Sequence, residues 1–323
     1  MSRDLIIDTD PGVDDALALL FALRSPELTV RAVTTVAGNV SLELTTANAH
    51  RILSVARPVP RPPIARGAER PLARPLRTAS HVHGLDGLGG VSSLRDADGR
   101  PLYPAGDPSP WPHDAVDTIL SLIDKQTGLT LVALGPLTNL ALALRCNRKR
   151  FFRLREIIVM GGAVTVPGNV TPTAEFNFYV DPEAAHELLT SGLPVTVVPL
   201  DVTHRAILSA RAIETLGEVG GEVGRFIRAF STIALRFARQ VEREDGIILH
   251  DPLAVAAALK EDLFTFERLS LDVETEDEAT RGRVHSRSSG PVCRVAVDVR
   301  EKEFLDLLME RLCPGSSSSA ARI

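Results

Sequence analysis

"DTDPGVDDALAL" (residues 8–19) decides how this chain is read, because its first half closes a strand and its second half opens a helix. "LIIDT" (5–9) is a short apolar run, and "VDDALALLFALR" (13–24) repeats apolar residues at helical spacing. Pro11 and Gly12 supply the turn between them. Asp8, Asp10, Asp14 and Asp15 then crowd four carboxylates into this turn. By the period-2 rule Asp8 and Asp10 project in similar directions from the strand's carboxyl edge. Asp14 and Asp15 fall in the first helical turn, where the macrodipole favours anions by about 0.3–1 kcal/mol each. The dipole accounts for two acids and not for four converging on one point. On these residues alone two readings stand: a hydrated acidic turn, or a cage for a hard cation. Ligands that are all oxygen select Ca²⁺ or Mg²⁺ over zinc.

Outward from this point the chain alternates β-rich runs with helical periodicity. "TVRAVTTVAG" (29–38) precedes "LELTTANAHRILSVA" (42–56), and "TLVALG" (130–135) precedes "PLTNLALALR" (136–145). "EIIVMGG" (156–162) leads through a loop to "DPEAAHELLTS" (181–191) and "PVTVVPL" (194–200). Apolar strands between helices signify a parallel sheet covered on both faces. The expected fold class is α/β: a doubly wound, mostly parallel sheet with helices on both faces. We expect one domain over 1–312 with a helical insertion at about 205–260. "VCRVAVDVR" (292–300) adds a late strand before a final helix at 301–312, and 313–323 reads as a disordered tail. In such a fold ligands sit beyond the carboxyl ends of the strands, so the loops there are where chemistry is expected.

The 323 residues suffice for a sizeable core, and 44% hydrophobic with 24% charged residues is ordinary for a globular protein. A net charge of −5 argues against nucleic acid as a partner. No apolar run approaches a membrane span, and the N-terminus has no signal-peptide core. Three scattered cysteines indicate neither a zinc site nor a disulfide framework and fit a reducing cytoplasm.

"DTD" alone also fits the start of a haloacid dehalogenase-type phosphatase, but the residues after it depart from that pattern, and no later acidic pair completes it. Further motifs narrow the choice. "TTVAGNV" (34–40), "HVHGLDGLGG" (81–90), "VALGPLTNLALAL" (132–144), "IIVMGGA" (157–163), "GNVTPTAEFNFYVDPEAA" (168–185) and "HDPLAVAAAL" (250–259) follow the acidic turn in that order. Together they resemble the nucleoside hydrolase family of the inosine–uridine-preferring type, over roughly residues 4 to 260.

The resemblance implies Ca²⁺-dependent hydrolysis of the N-glycosidic bond of ribonucleosides, in nucleoside salvage or catabolism. It implies an ion held by Asp10, Asp15, Asp251 and the main-chain carbonyl of Leu134, where many relatives have Thr. It implies a ribose held by Asp14, Asn39, Asn169, Glu175 and Asn177, with Met160 and Phe176 beside it. Asp10 would take the proton of the attacking water, which adds to the anomeric carbon with inversion. His250, with an ordinary pKa near ~6.5, would donate a proton or hydrogen bond to the leaving base, and His83 would line the base pocket. A homodimer or homotetramer is implied by analogy. Blander readings stand beside several of these. Asp8 is expected to stabilise the turn, Asn39 alone fits a left-handed turn after Gly38, Phe176 fits the core equally well, Asn139 fits a helix start, and His81, His204 and His285 fit the surface.

One departure concerns the base. Relatives carry tyrosines just before the "HD" pair, but here only Tyr103 and Tyr179 exist, and 228–251 offers Phe230, Phe237, Arg239, Gln240, Arg243 and Glu244. Trp111, the one tryptophan, lies in a Pro-rich loop. Three readings follow: Arg239 or Gln240 joins His250 in activating the base, the chain hydrolyses a different N-riboside, or it binds nucleosides without cleaving them, although binding alone needs neither a general base nor an acid. Segments 67–90 and 220–248 are placed to act as lids.

Overall fold

The computed structural model describes residues 2–106 and 113–314, so Trp111 and residues 315–323 lie outside it. Its strands are β1 (Arg3–Thr9), β2 (Leu28–Thr35), β3 (Ile64–Arg66), β4 (Thr130–Ala133), β5 (Glu156–Met160), β6 (Val195–Val198), β7 (Ile207–Ser209), β8 (Gly246–Ile248), β9 (Phe264–Val273), β10 (Val284–Arg287) and β11 (Cys293–Val299). Nine of them form one sheet in the order β10-β9-β11-β6-β5-β4-β1-β2-β3. From β3 to β11 the pairing is parallel throughout.

The period-2 alternation of β1 explains why both faces are covered. Leu5 and Ile7 enter one hydrophobic cluster, while Ile6 enters the other. The first cluster takes in α1 (Val13–Leu23), α2 (Leu42–Ala56) and two later helices, His250–Leu259 and Glu301–Leu312. The second is closed by helices Ala115–Lys125, Thr138–Cys146 and Pro182–Leu189. The expected doubly wound α/β fold is what forms.

Strand order 3-2-1-4-5-6 reverses at β1, and a crevice opens beyond the carboxyl ends of β1 and β4. The acidic turn follows β1, and Leu134 follows β4, so both meet at this crevice.

Three differences from the sequence reading have physical causes. β9 and β10 extend the sheet in antiparallel fashion beyond β11. β9 mixes charged and apolar residues and is half exposed, so it lacks the uninterrupted apolar run of its neighbours. The region about 205–260 is not wholly helical, because β7 and β8 pair antiparallel at its two ends, with Ile207 opposite Ile248. The tail does not begin at residue 313, since Cys313 is buried against the core after the last helix.

Candidate active site

Five aspartates, Asp8, Asp10, Asp14, Asp15 and Asp251, are buried at the crevice. β1 ends at Thr9, so Asp10 leaves the ladder and does not share the direction of Asp8. Asp8 points beneath the site, where it accepts from the Thr34 hydroxyl and from Asn139 Nδ2 at 2.8 Å. Its partners thus lie in β2 and in the helix Thr138–Cys146 rather than in the turn itself. Asn139 has more to do than start a helix. Its amide also donates to Thr35 O and accepts from Ala68 N, tying β1, β2 and the loop after β3 together.

Asp10 is gripped closely. Its Oδ2 accepts from Asn39 N at 2.6 Å, while Oδ1 is buried with no partner. A side chain on Gly38 or Gly135 would collide with these oxygens, since an added Cβ would lie 2.0 Å from Oδ2 or 2.4 Å from Oδ1. Asp15 accepts from the Thr9 hydroxyl, Gly12 N and Asn39 Nδ2. Asn39 is not in a left-handed conformation; its backbone and side chain are used to hold Asp10 and Asp15.

The helix α1 packs against His250–Leu259, which brings the first turns of the two helices together. Oxygens of Asp14, Asp15 and Asp251 consequently lie within 4.8 Å of one another. This trio differs from the expected set in containing Asp14 rather than Asp10. Leu134 O accepts from Asn177 Nδ2 at 2.7 Å, which uses one of its two lone pairs.

Burial raises the carboxyls of Asp10 and Asp251 well above the usual range, and neighbouring aspartates push further in the same direction. Burial pushes Asp14 up to about 8, with the charge of Asp15 adding to it. Buried like charges at this spacing call for a compensating cation. An all-oxygen trio beside a partnerless Asp10 Oδ1 fits a hard divalent ion, and so do the glycines that leave room around it.

A cleft of about 470 Å³ opens over these acids. Asn39, Met160, Asn169, Glu175, Phe176 and Asn177 line it, as do His83 and His250. Glu175 caps a short helix, Phe176–Val180, and its carboxylate accepts from the N–H groups of Gly162, Asn177 and Phe178. Asn169 Oδ1 accepts from Phe176 N at 3.0 Å. Phe176 is part of the cleft wall, while Phe178 goes to the core.

The histidines depart most from expectation. Burial lowers His250 to about 3, helped by His204 and His83, which favours the neutral imidazole and so, of the two roles expected for it, the hydrogen-bond donor. Its Nδ1 lies 2.8 Å from Thr203 Oγ1. Burial likewise lowers His83 to about 4, and its Nδ1 accepts from Val13 N at 3.0 Å, leaving the hydrogen on Nε2. His204 belongs to the wall, with its ring 5.8 Å from that of His250. His81 is exposed, but it also lines the cleft, edge-on to Phe237.

The remaining wall comes from residues 234–248. Phe237, Val241, Glu242 and Glu244 face the cleft. Arg239, Gln240 and Arg243 do not line it; Arg239 turns to Asp245 at 2.7 Å, and Phe230 is packed in the core against Phe226. Val241, Glu242 and His204 sit in no motif, and only the fold could place them here.

Residues 5–306 match the model of the inosine-uridine preferring nucleoside hydrolase family. The chain belongs to that family. This nucleoside hydrolase is 39% identical over 319 residues to the pyrimidine-specific ribonucleoside hydrolase RihA of Photobacterium profundum, covering 97% of this chain and 99% of that one. Among solved structures it resembles a plant nucleoside hydrolase (TM-score 0.89, 36% identity, 97% of this chain and 100% of that one). It also resembles a purine-preferring ribonucleoside hydrolase from Gardnerella vaginalis (TM-score 0.88, 30% identity, 96% and 98%). The family read from the motifs is thus the right one, and the protein is an N-glycosyl hydrolase acting on ribonucleosides.

Proposed function

We propose that this nucleoside hydrolase converts ribonucleosides to free base and ribose in a Ca²⁺-dependent reaction that inverts the anomeric carbon. The observation that carries the reading is the buried trio of Asp14, Asp15 and Asp251 beside a partnerless Asp10 Oδ1, at the floor of a cleft of nucleoside size. Asp10, Asp15, Asp251 and the free lone pair of Leu134 O would hold the ion, with Asp14 next to it. When bound, the ion supplies charge that neutralises the acids and polarises oxygen ligands.

The chain's own residues carry the rest. Asn39, Asn169, Glu175 and Asn177 hold the ribose hydroxyls, with Asp14 and Met160 beside them. Glu175 is fixed by three backbone N–H groups, so it accepts from a hydroxyl without reorienting. Asp10 takes a proton from the attacking water as it adds to C1′ and the bond to the base breaks. Positive charge that develops on the ring is stabilised by the surrounding carboxylates. The base leaves with the bonding electron pair, hydrogen-bonded from Nε2 of a neutral His250 whose Nδ1 lies against the Thr203 hydroxyl, and takes its proton from solvent. His83 Nε2–H and Phe176 complete the wall. The cytoplasm and a homodimeric or homotetrameric assembly belong to the same reading through the family resemblance.

RihA is named pyrimidine-specific, which makes cytidine and uridine the first substrates to try. The test is release of reducing sugar from both, with and without a chelator, beside the 2′-deoxy analogues. Turnover that stops on chelation, returns with Ca²⁺ and is lost on the deoxy analogues is expected. Equal rates with chelator, or equal rates on deoxy substrates, would overturn the ion and diol assignments.

A further inference from the structure

We infer that Glu242 is the specificity-determining residue of the base wall and selects nucleosides whose base carries an exocyclic amino group, cytidine over uridine and adenosine over inosine. The inference rests on the hydrolase reading above and extends it to the half of the cleft that the motifs leave blank.

The wall after Phe237 is built by a π-helical turn, Ala238–Glu242, followed by Arg243 in a left-handed conformation (φ 65°). This geometry presents Val241, Glu242 and Glu244 to the cleft together. Of the two cations nearby, Arg239 pairs with Asp245 and Arg243 does not line the cleft. Among the described residues no lysine or arginine lines the cleft, and Glu242 makes no side-chain hydrogen bond or ion pair. Glu242 is exposed at the mouth of the cleft, and what burial it has raises its carboxyl, with Glu244 adding to the rise. A carboxylate in that position offers lone pairs to a bound base, and once the base has displaced its water only the base can supply the donor.

The substrate that supplies the donor follows from base chemistry. An amino group on the base hydrogen-bonds a carboxylate, as cytosine N4 does in nucleic-acid readout. Uracil and hypoxanthine present a carbonyl oxygen at the corresponding position, so lone pairs would face lone pairs. A site built to accept from an amino group rejects the analogue that lacks it, because its own acceptor is left unmatched. For cytosine, His83 Nε2–H also supplies a donor to the ring carbonyl.

The experiment measures kcat/KM for cytidine, uridine, adenosine and inosine with the Ca²⁺-loaded enzyme, its Glu242→Gln variant and its Glu244→Gln variant. The unmodified enzyme is expected to favour the amino partner of each pair by about tenfold or more. Glu242→Gln, which places a donor beside the remaining acceptor, is expected to bring both ratios close to one. Ratios near one in the unmodified enzyme, unchanged ratios in Glu242→Gln, or ratios that move only in Glu244→Gln would each overturn the assignment. Hydrolysis of p-nitrophenyl riboside, which has no base to read, separates the two levels. If the unmodified enzyme cleaves it while the nucleoside ratios stay flat, the base assignment alone falls. If it is inert on this probe and on all four nucleosides, the hydrolase reading falls and takes this inference with it.

Discussion

Asp251 shows what a buried carboxylate among its like costs the fold. It sits within 4.8 Å of Asp14 and Asp15, and burial together with those two charges holds its carboxyl well above the usual range. A carboxyl raised in the folded state binds its proton more tightly there than in the unfolded chain. Its contribution to stability therefore falls as pH rises above the unfolded value near ~4 and continues to fall up to the folded value. For Asp14 that upper limit is about 8. The chelated enzyme is accordingly expected to unfold at lower urea at pH 8 than at pH 6. Asp251→Asn removes one of the charges and should raise the chelated protein's urea midpoint at pH 8 while cutting kcat by about a hundredfold or more. A variant less stable than the parent under chelation would show that repulsion is not what governs this cluster. The residue scale also shows where reading from sequence stops. The positions of Asp10, Asp14, Asp15 and Asp251 were legible because their motifs are contiguous. Membership of the closest trio was not, because it depends on how two helices far apart in sequence approach each other.

Among the elements, β1 with its flanking loops is the part on which the site depends most. Asn139 bonds Asp8 in β1, the Thr35 carbonyl in β2 and the Ala68 amide after β3. Asp8 also accepts from Thr34, and burial raises its carboxyl to about 7. Replacing Asn139 with Leu leaves these buried partners without donors or acceptors, at a cost of about 2–4 kcal/mol for two or three unmet groups. Chemical denaturation should register that loss, and a change below about 0.5 kcal/mol would mean that water replaces the amide. The parallel strands were legible as apolar runs between helices, since burial on both faces leaves no polar alternation. β9 was missed because Glu267 and Arg268 interrupt its pattern at exposed positions. β7 and β8 were missed for a different reason: each has only three residues, too few for any period to be counted.

In the whole molecule, two helices and the strand edge meet around a site that is electrostatically unfavourable without a cation. A ligand that binds only the folded state stabilises it by RT ln(1 + [L]/Kd), about 2.7 kcal/mol at a hundredfold excess over Kd. Calcium at saturation should therefore raise the melting temperature of the parent, and much less so that of Asp251→Asn. Equal shifts in both, read by calorimetry, would place the ion elsewhere. The fold class and the acidic floor of the cleft were legible in the sequence because they rest on local motifs. The base wall was not, because it hangs on a two-stranded ribbon and a helix pair (Ala210–Val219 and Gly221–Phe237) that stand outside the nine-stranded sheet. That separation has an evolutionary consequence. A lineage can redraw which leaving group it admits by rewriting residues 207–248 as a cassette, without touching the carboxylates that perform the chemistry.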